Sequence, residues 1–126
     1  MNILLDTHVL LWWLTDDQRL NKKARQAIES ETHLVYVSSA SIWEIAIKKS
    51  IGKLKTKENI ADHVNLNDFE PLPITLDHTS AVETLAHHHQ DPFDRMLIAQ
   101  AIIENLQIIT HDQHFQLYKG LHLLQT

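Results

Sequence analysis

The chain has 126 residues, of which 44% are hydrophobic and 21% charged, as in an ordinary globular domain. It contains no cysteine, which excludes disulfides and thiolate metal sites and fits a reducing compartment. The net charge of −5 argues against a generally basic nucleic-acid binder, and no apolar run reaches the roughly 20 residues of a membrane span. We therefore expect a single cytoplasmic domain over residues 1–126.

Short apolar runs alternate with helix-like segments in the first half of the chain. Asn21 is a suitable N-cap, and the β-branched and aromatic run before Ser38 is typical of a strand. The predicted elements are a strand at 3–5, helices over 9–14 and 22–30, a strand at 34–37, a helix from 42 to the break at Gly52, and a weaker helix over 58–66.

The second half continues the same alternation. Asp91 and Pro92 provide an N-cap and a first-turn proline for the strongest predicted helix, FDRMLIAQAIIENL, whose apolar residues on all sides indicate burial. The other predicted elements are a strand at 72–75, a helix over 77–88, a strand at 106–110, a turn or short helix at 115–118 and a strand at 121–124. Strands that alternate with helices predict an α/β fold with a mainly parallel sheet.

Four carboxylates follow predicted strands or lie in the opening turns of predicted helices: Asp6, Glu44, Asp94 and Asp112. In an open α/β sheet, ligands bind beyond the carboxyl ends of the strands, so these acids are placed to meet at one edge. Like charges at close range repel unless some keep a proton or a hard cation joins them. This placement indicates a candidate metal-dependent hydrolase.

Each acid also fits an ordinary structural role. Asp6 is placed to cap the helix that follows it, and Glu44 lies three residues after Ser41, the spacing of a capping box. The helix macrodipole favours Asp94 in a first turn, and Asp112 is placed to close an Asx-turn. Spacing alone leaves both interpretations open.

Four stretches carry a family resemblance: LLDTHVLLWWL at 4–14, SSASIWEIAIKKSIGKL at 38–54, DPFDRMLIAQA at 91–101 and IITHDQHF at 108–115. Together they resemble a PIN domain, specifically the toxin of a VapBC-type toxin–antitoxin pair, in the family's order. The resemblance implies a three-layer α/β/α sandwich. It also implies a Mg²⁺- or Mn²⁺-dependent endoribonuclease that hydrolyses RNA phosphodiester bonds with a metal-activated water.

The resemblance also implies roles for individual residues. The catalytic and metal-binding acids would be Asp6, Glu44, Asp94 and Asp112. Asp91 is expected mainly as a helix N-cap, with a metal-linked role left open as an additional acid. Thr7 and Thr110 are expected to hydrogen-bond the ligands or a bound water.

Five of the eleven Lys and Arg fall between residues 48 and 57, a strip that fits either a solvated helix end or contacts to an RNA backbone. The candidates for RNA contact are Lys48, Lys49 and Lys53, together with Arg95, which is placed to contact phosphate or to pair with a neighbouring acid. The resemblance further implies a cognate antitoxin laid across the active site, a homodimer and a toxin–antitoxin hetero-oligomer.

Two other functions stay open at this point. Ten histidines, including the run 87–89, permit a metal-independent ribonuclease with histidine as general acid and base. The same run also fits a polar helix end. A non-catalytic PIN-like scaffold that binds RNA or protein is the second alternative, although such a scaffold is expected to have lost acids that are all present here.

Overall fold

A five-stranded sheet forms the centre of the computed structural model, which describes residues 1–126. Its strands are β1 (Ile3–Leu5), β2 (Val35–Ser38), β3 (Glu70–Leu72), β4 (Gln107–Thr110) and β5 (His122–Gln125). Their order across the sheet is β3-β2-β1-β4-β5, and every neighbouring pair is parallel. The predicted α/β class and mainly parallel sheet are confirmed.

Six α-helices and one short 3₁₀ helix cover the sheet. They are α1 (Thr7–Leu14), α2 (Lys22–Glu29), α3 (Ser39–Ser50), α4 (Ile60–Leu66), α5 (Leu76–Val82), α6 (Pro92–Glu104) and the 3₁₀ helix Gln113–Leu117. None of the helices has the length and apolar character needed to cross a lipid bilayer.

Side chains of β1 alternate between two hydrophobic cores. Ile3 and Leu5 join the core that contains residues of α1, α2 and α4, whereas Leu4 joins the core that contains residues of α6 and the 3₁₀ helix. All three are buried, which is why β1 reads as a continuous apolar run rather than an alternating one. The two cores make the protein a three-layer α/β/α sandwich, as predicted.

The chain changes direction across the sheet next to β1. It passes from β1 to β2 and β3 on one side, and later adds β4 and β5 on the other side. Leu5 is paired with Val37 in β2 and Ile109 in β4, so the carboxyl ends of the three strands are level. The gap between β1 and β4 is therefore a topological switch point, where α/β proteins bind their ligands.

Strand β3 occupies residues 70–72, so the prediction of a strand at 72–75 was displaced toward the C-terminus. The prediction took Pro71 as a boundary because proline cannot donate a backbone hydrogen bond. In the structure Pro71 is paired with Val37, and the pairing is possible because β3 is an edge strand.

Helix α5 ends at Val82, six residues earlier than predicted. The guanidinium of Arg95 accounts for this early end, because it donates hydrogen bonds to the carbonyls of Val82, Leu85, Ala86 and His89 at 2.8 to 3.4 Å. The segment after Val82 therefore satisfies these carbonyls without continuing as a helix.

Candidate active site

Asp6 lies buried between the end of β1 and the start of α1. One carboxylate oxygen accepts the backbone N–H of Val9 at 2.8 Å. Asp6 therefore caps α1, which is the structural role that the sequence analysis allowed for it. The other oxygen accepts the hydroxyl of Thr110 at 2.5 Å. Burial raises the pKa of Asp6 above its ordinary value, because desolvation outweighs the stabilising hydrogen bonds from Thr110 and Val9.

Thr110, at the end of β4, joins the acids of two neighbouring strands. Its hydroxyl donates to Asp6 and accepts the backbone N–H of Asp112 at 3.0 Å. The structure thus places Thr110 in hydrogen-bond contact with Asp6, one of the predicted metal ligands. A single buried hydroxyl thus fixes the separation between the β1 and β4 ends of the site.

Asp112 is held by two imidazole rings. Its Oδ1 accepts the backbone N–H of His114 at 2.9 Å and lies 3.1 Å from the His114 Nδ1, while its Oδ2 lies 2.9 Å from the His89 Nε2. Partial burial raises the pKa of Asp112, but the hydrogen bonds from His89 and His114 outweigh it and the net pKa is lowered.

Asp94, in the first turn of α6, faces the other acids. Burial is the main cause that raises its pKa to about 7, and the negative charges of Asp91, Asp6, Glu44 and Asp112 raise it further. All four predicted acids therefore act electrostatically at one place. Asp91 is exposed and caps α6 through the backbone N–H groups of residues 93 and 94, as expected.

Glu44 is buried on α3, where its carboxylate pairs with the Lys48 ammonium at 3.0 Å. The capping-box interpretation of Glu44 is wrong, since Ser38 rather than Ser41 caps α3. The Ser41 hydroxyl instead accepts a hydrogen bond from the Thr7 hydroxyl at 3.0 Å. Thr7 therefore holds α1 against the helix that carries Glu44.

Arg95 points away from the acids. Its guanidinium is buried and bonded to the four carbonyls at the end of α5 and in the loop beyond it. These contacts argue against the phosphate contact predicted for Arg95, and they give it a structural role instead. The adjacent residues Asp94 and Arg95 serve different parts of the molecule because successive helix positions point about 100° apart.

Three of the acids open into a cavity of about 300 Å³. Its lining consists of Asp6, Asp94 and Asp112 together with His8, Trp12, Arg19 and His111. The Arg19 guanidinium lies 4.7 Å from the Trp12 ring centroid and forms an ion pair with Asp17 at 2.8 Å. Apart from the acids, the lining is therefore aromatic and basic.

Sequence reasoning missed His89, which it treated as part of a polar helix end. Single ligand atoms of His89, Asp94 and Asp112 lie within 4.8 Å of one another. The only local signal was the position of the histidine run just before Asp91, and that signal does not distinguish the three histidines.

The donor set suits a hard divalent cation. Carboxylate oxygens predominate and cysteine is absent, which favours Mg²⁺ or Mn²⁺ over softer metals. Burial and the negative charges of four neighbouring acids raise the pKa of Asp94, so a cation at this place would favour its ionised form. A cation of this class fits both the donors and the charge.

The family model of the PIN domain matches residues 3–121. The chain belongs to the PIN domain family. It is also 31% identical over 124 residues to ribonuclease VapC22 of Mycobacterium tuberculosis, a match that covers 93% of this chain and 92% of that protein. The predicted family resemblance is confirmed.

Solved structures with similar folds are toxin–antitoxin and related complexes. VapBC2 from Rickettsia felis, bound to a promoter DNA fragment, has a TM-score of 0.76 at 18% identity, covering 100% of this PIN chain and 99% of that chain. VapBC-1 from nontypeable Haemophilus influenzae has a TM-score of 0.73 at 17% identity, covering 99% and 98%. At these identities the likeness establishes the PIN fold.

We predict that Asp94→Asn stabilises the metal-free protein at alkaline pH. A folded-state pKa of about 7, against an ordinary 3.8, means that ionisation of Asp94 contributes a loss of stability that develops as pH rises from 3.8 to about 7 and is complete above that range. The neutral amide removes most of this loss, so urea unfolding in EDTA at pH 8 should give a gain of about 1–2 kcal/mol after allowance for solvent screening.

Asp77→Asn is the matched control, because Asp77 is an exposed acid in the first turn of α5. Its pH dependence of unfolding should equal that of wild type. If Asp94→Asn also kept the full wild-type pH dependence, the electrostatic account of the site would be wrong.

Proposed function

We propose that this chain is a Mg²⁺- or Mn²⁺-dependent endoribonuclease and the toxin of a VapBC-type pair. The observation that carries the proposal is the environment of Asp94, whose pKa is raised to about 7 by burial and by four neighbouring acids. Strongly perturbed acids in a cleft are typical of functional sites. Homology to ribonuclease VapC22 supports the same activity.

The proposed metal ligands are Asp6, Glu44, Asp94 and Asp112. A bound divalent ion supplies an activated water and stabilises negative charge on the phosphoryl oxygens. The protein orients the ligands: Thr110 and the Val9 amide fix both oxygens of Asp6, and Thr7 braces the helix that presents Glu44. Since the pKa of Asp94 in the metal-free site is about 7, the residue is only partly ionised at neutral pH, and ion binding competes with its proton.

We predict that Asp6→Asn and Asp94→Asn each reduce RNA cleavage by about 100-fold or more, because each change removes a ligand charge. Cleavage is measured on a labelled RNA with Mg²⁺ or Mn²⁺, and circular dichroism checks that each variant folds. Asp77→Asn should retain wild-type activity. The wild-type products should carry 5′-phosphate and 3′-hydroxyl ends.

The same assay separates the two alternative functions. Cleavage in excess EDTA that leaves 2′,3′-cyclic phosphate would support the metal-independent histidine mechanism. RNA binding without cleavage at any divalent ion concentration would support the non-catalytic scaffold.

Three lysines are proposed to contact the RNA backbone, and the structure distinguishes them. Lys48 is paired with Glu44, and the Lys49 ammonium donates to the Glu58 carbonyl at 2.7 Å. Lys53 is exposed just beyond α3. Lys53 is therefore the lysine whose charge is most available to a phosphate.

We predict that Lys53→Gln weakens RNA binding. The slope of log K against log[salt] should become less negative by about 0.7, the value for one phosphate contact on a single strand. Fluorescence anisotropy with the inactive Asp6→Asn protein at several salt concentrations measures this slope. Lys23→Gln, at an exposed position on α2, is the control and should leave the slope unchanged. Equal slopes for the two variants would remove Lys53 from the RNA interface.

We further propose a cognate antitoxin and a homodimer as protein partners, in the cytoplasm where RNA is available. Three large apolar side chains support a protein interface: Trp43 and Ile47 on α3 and Ile51 at its C-cap are 60%, 37% and 59% exposed. They recur every four residues and form a row on one helix face. Exposed apolar rows of this kind commonly mark interaction surfaces.

We predict that light scattering on the purified chain gives twice the 14.6 kDa of one chain. The double variant Trp43→Ser, Ile47→Ser should weaken the homodimer or the complex with co-expressed antitoxin, because it removes apolar area from the row. Ile103→Ser, at an exposed apolar position on α6, is the control. If the double variant retained both assemblies at wild-type affinity, the row would not be an interface.

A further inference from the structure

His89 lies on the side of Asp112 that faces the protein interior. Its Nε2 is 2.9 Å from the Asp112 Oδ2, its Nδ1 is 3.0 Å from the Tyr118 hydroxyl oxygen, and its side chain is 8% exposed. The ring is parallel to Tyr118 at 5.5 Å and edge-on to Phe115 at 4.9 Å. Both ring nitrogens therefore have a polar partner, and two aromatic rings pack against the imidazole.

Two roles are open to a histidine in this position, since it is close enough to Asp94 and Asp112 to share an ion with them. A neutral imidazole has one nitrogen that donates and one that accepts. When the Tyr118 hydroxyl donates to Nδ1, Nε2 carries the hydrogen and donates to Asp112. A nitrogen that donates this hydrogen bond has no lone pair left for a metal ion.

We propose that His89 is a positioning residue for Asp112 and that Tyr118 selects the tautomer it needs. The inference rests on the proposed function, because the orientation of Asp112 matters for chemistry only if Asp112 binds the ion. His89 then donates from Nε2 and is not itself a ligand.

The position of Asp112 explains why it needs such a partner. It follows β4 in a loop, and its side chain is 35% exposed. His114 holds only one of its two oxygens, and His89 is the side chain that holds the other. The Tyr118 that supports His89 is itself buried. The 3₁₀ helix connects Asp112 to Tyr118 along the chain, and two hydrogen bonds lead from Tyr118 through His89 back to the Asp112 carboxylate.

The first experiment reads the tautomer directly, by ¹⁵N spectra of histidine-labelled, metal-free protein at pH 8. We expect His89 as the neutral Nε2–H tautomer in wild type and as a mixture of tautomers in Tyr118→Phe, which keeps the ring but lacks the hydroxyl. An Nδ1–H tautomer or a doubly protonated ring in wild type would overturn the proposal. Loss of the Nε2 proton when Mg²⁺ is added would show that His89 is a ligand, and would also overturn it.

The second experiment compares His89→Leu with His89→Gln, in which a side-chain amide N–H is available to Asp112. Calorimetric titration with Mn²⁺ should show about 10–100-fold weaker binding for the leucine variant, the usual cost of losing a partner of a metal ligand, and substantial recovery for glutamine. Thermal midpoints are measured alongside. A lowered midpoint with unchanged Mn²⁺ affinity would show that His89 is merely structural.

These readouts separate the inference from the function on which it rests. If wild-type protein bound no Mn²⁺, the proposed function would fail, whereas the ¹⁵N spectra of the metal-free protein would still decide whether Tyr118 fixes the His89 tautomer.

Discussion

The hydrogen bond between the Thr110 hydroxyl and the buried Asp6 carboxylate determines the geometry of the site. It joins residues 104 positions apart at the level ends of two central strands, and the same hydroxyl receives the Asp112 backbone N–H. A buried carboxylate without such a donor would lose a hydrogen bond to a charged group, which contributes about 1.5–3 kcal/mol. The parallel register of β1 and β4 exists independently of the acids, but their relative placement depends on this contact.

The pocket shifts the pKa values of two of its acids in opposite directions. Burial raises the pKa of Asp94 to about 7 and neighbouring carboxylates raise it further, whereas Asp112 is less buried and receives hydrogen bonds from two histidines that lower its pKa. The opposite shifts therefore follow from both the depth of burial and the neighbours of each acid. Ionisation of Asp94 costs stability in the metal-free fold, and such local costs are characteristic of functional sites.

Local signals placed three of the four acids. Apolar runs that end in Asp6 and Thr110, and the Asp91-Pro92 start of α6, place Asp6, Asp112 and Asp94 near strand or helix ends before any tertiary contact is known, whereas Glu44 lies within α3 and the family resemblance joined it to the other three. The early end of α5, the Thr7–Ser41 contact and the orientation of His89 were not predictable. Each depends on a hydrogen bond between residues far apart in sequence, and such bonds leave no periodicity in the chain.

Adjacent residues of α6 serve both sides of the pocket. Asp94 faces the cavity, while Arg95 bonds the carbonyls of the loop that carries His89, including the His89 carbonyl itself at 3.4 Å. A small rotation of this first turn would therefore carry the acid and the histidine loop in concert. Asp94 can move independently of the His89 loop only if the Arg95 guanidinium releases the loop carbonyls. The DPFDR segment therefore holds the acid and the loop in a fixed relation to each other.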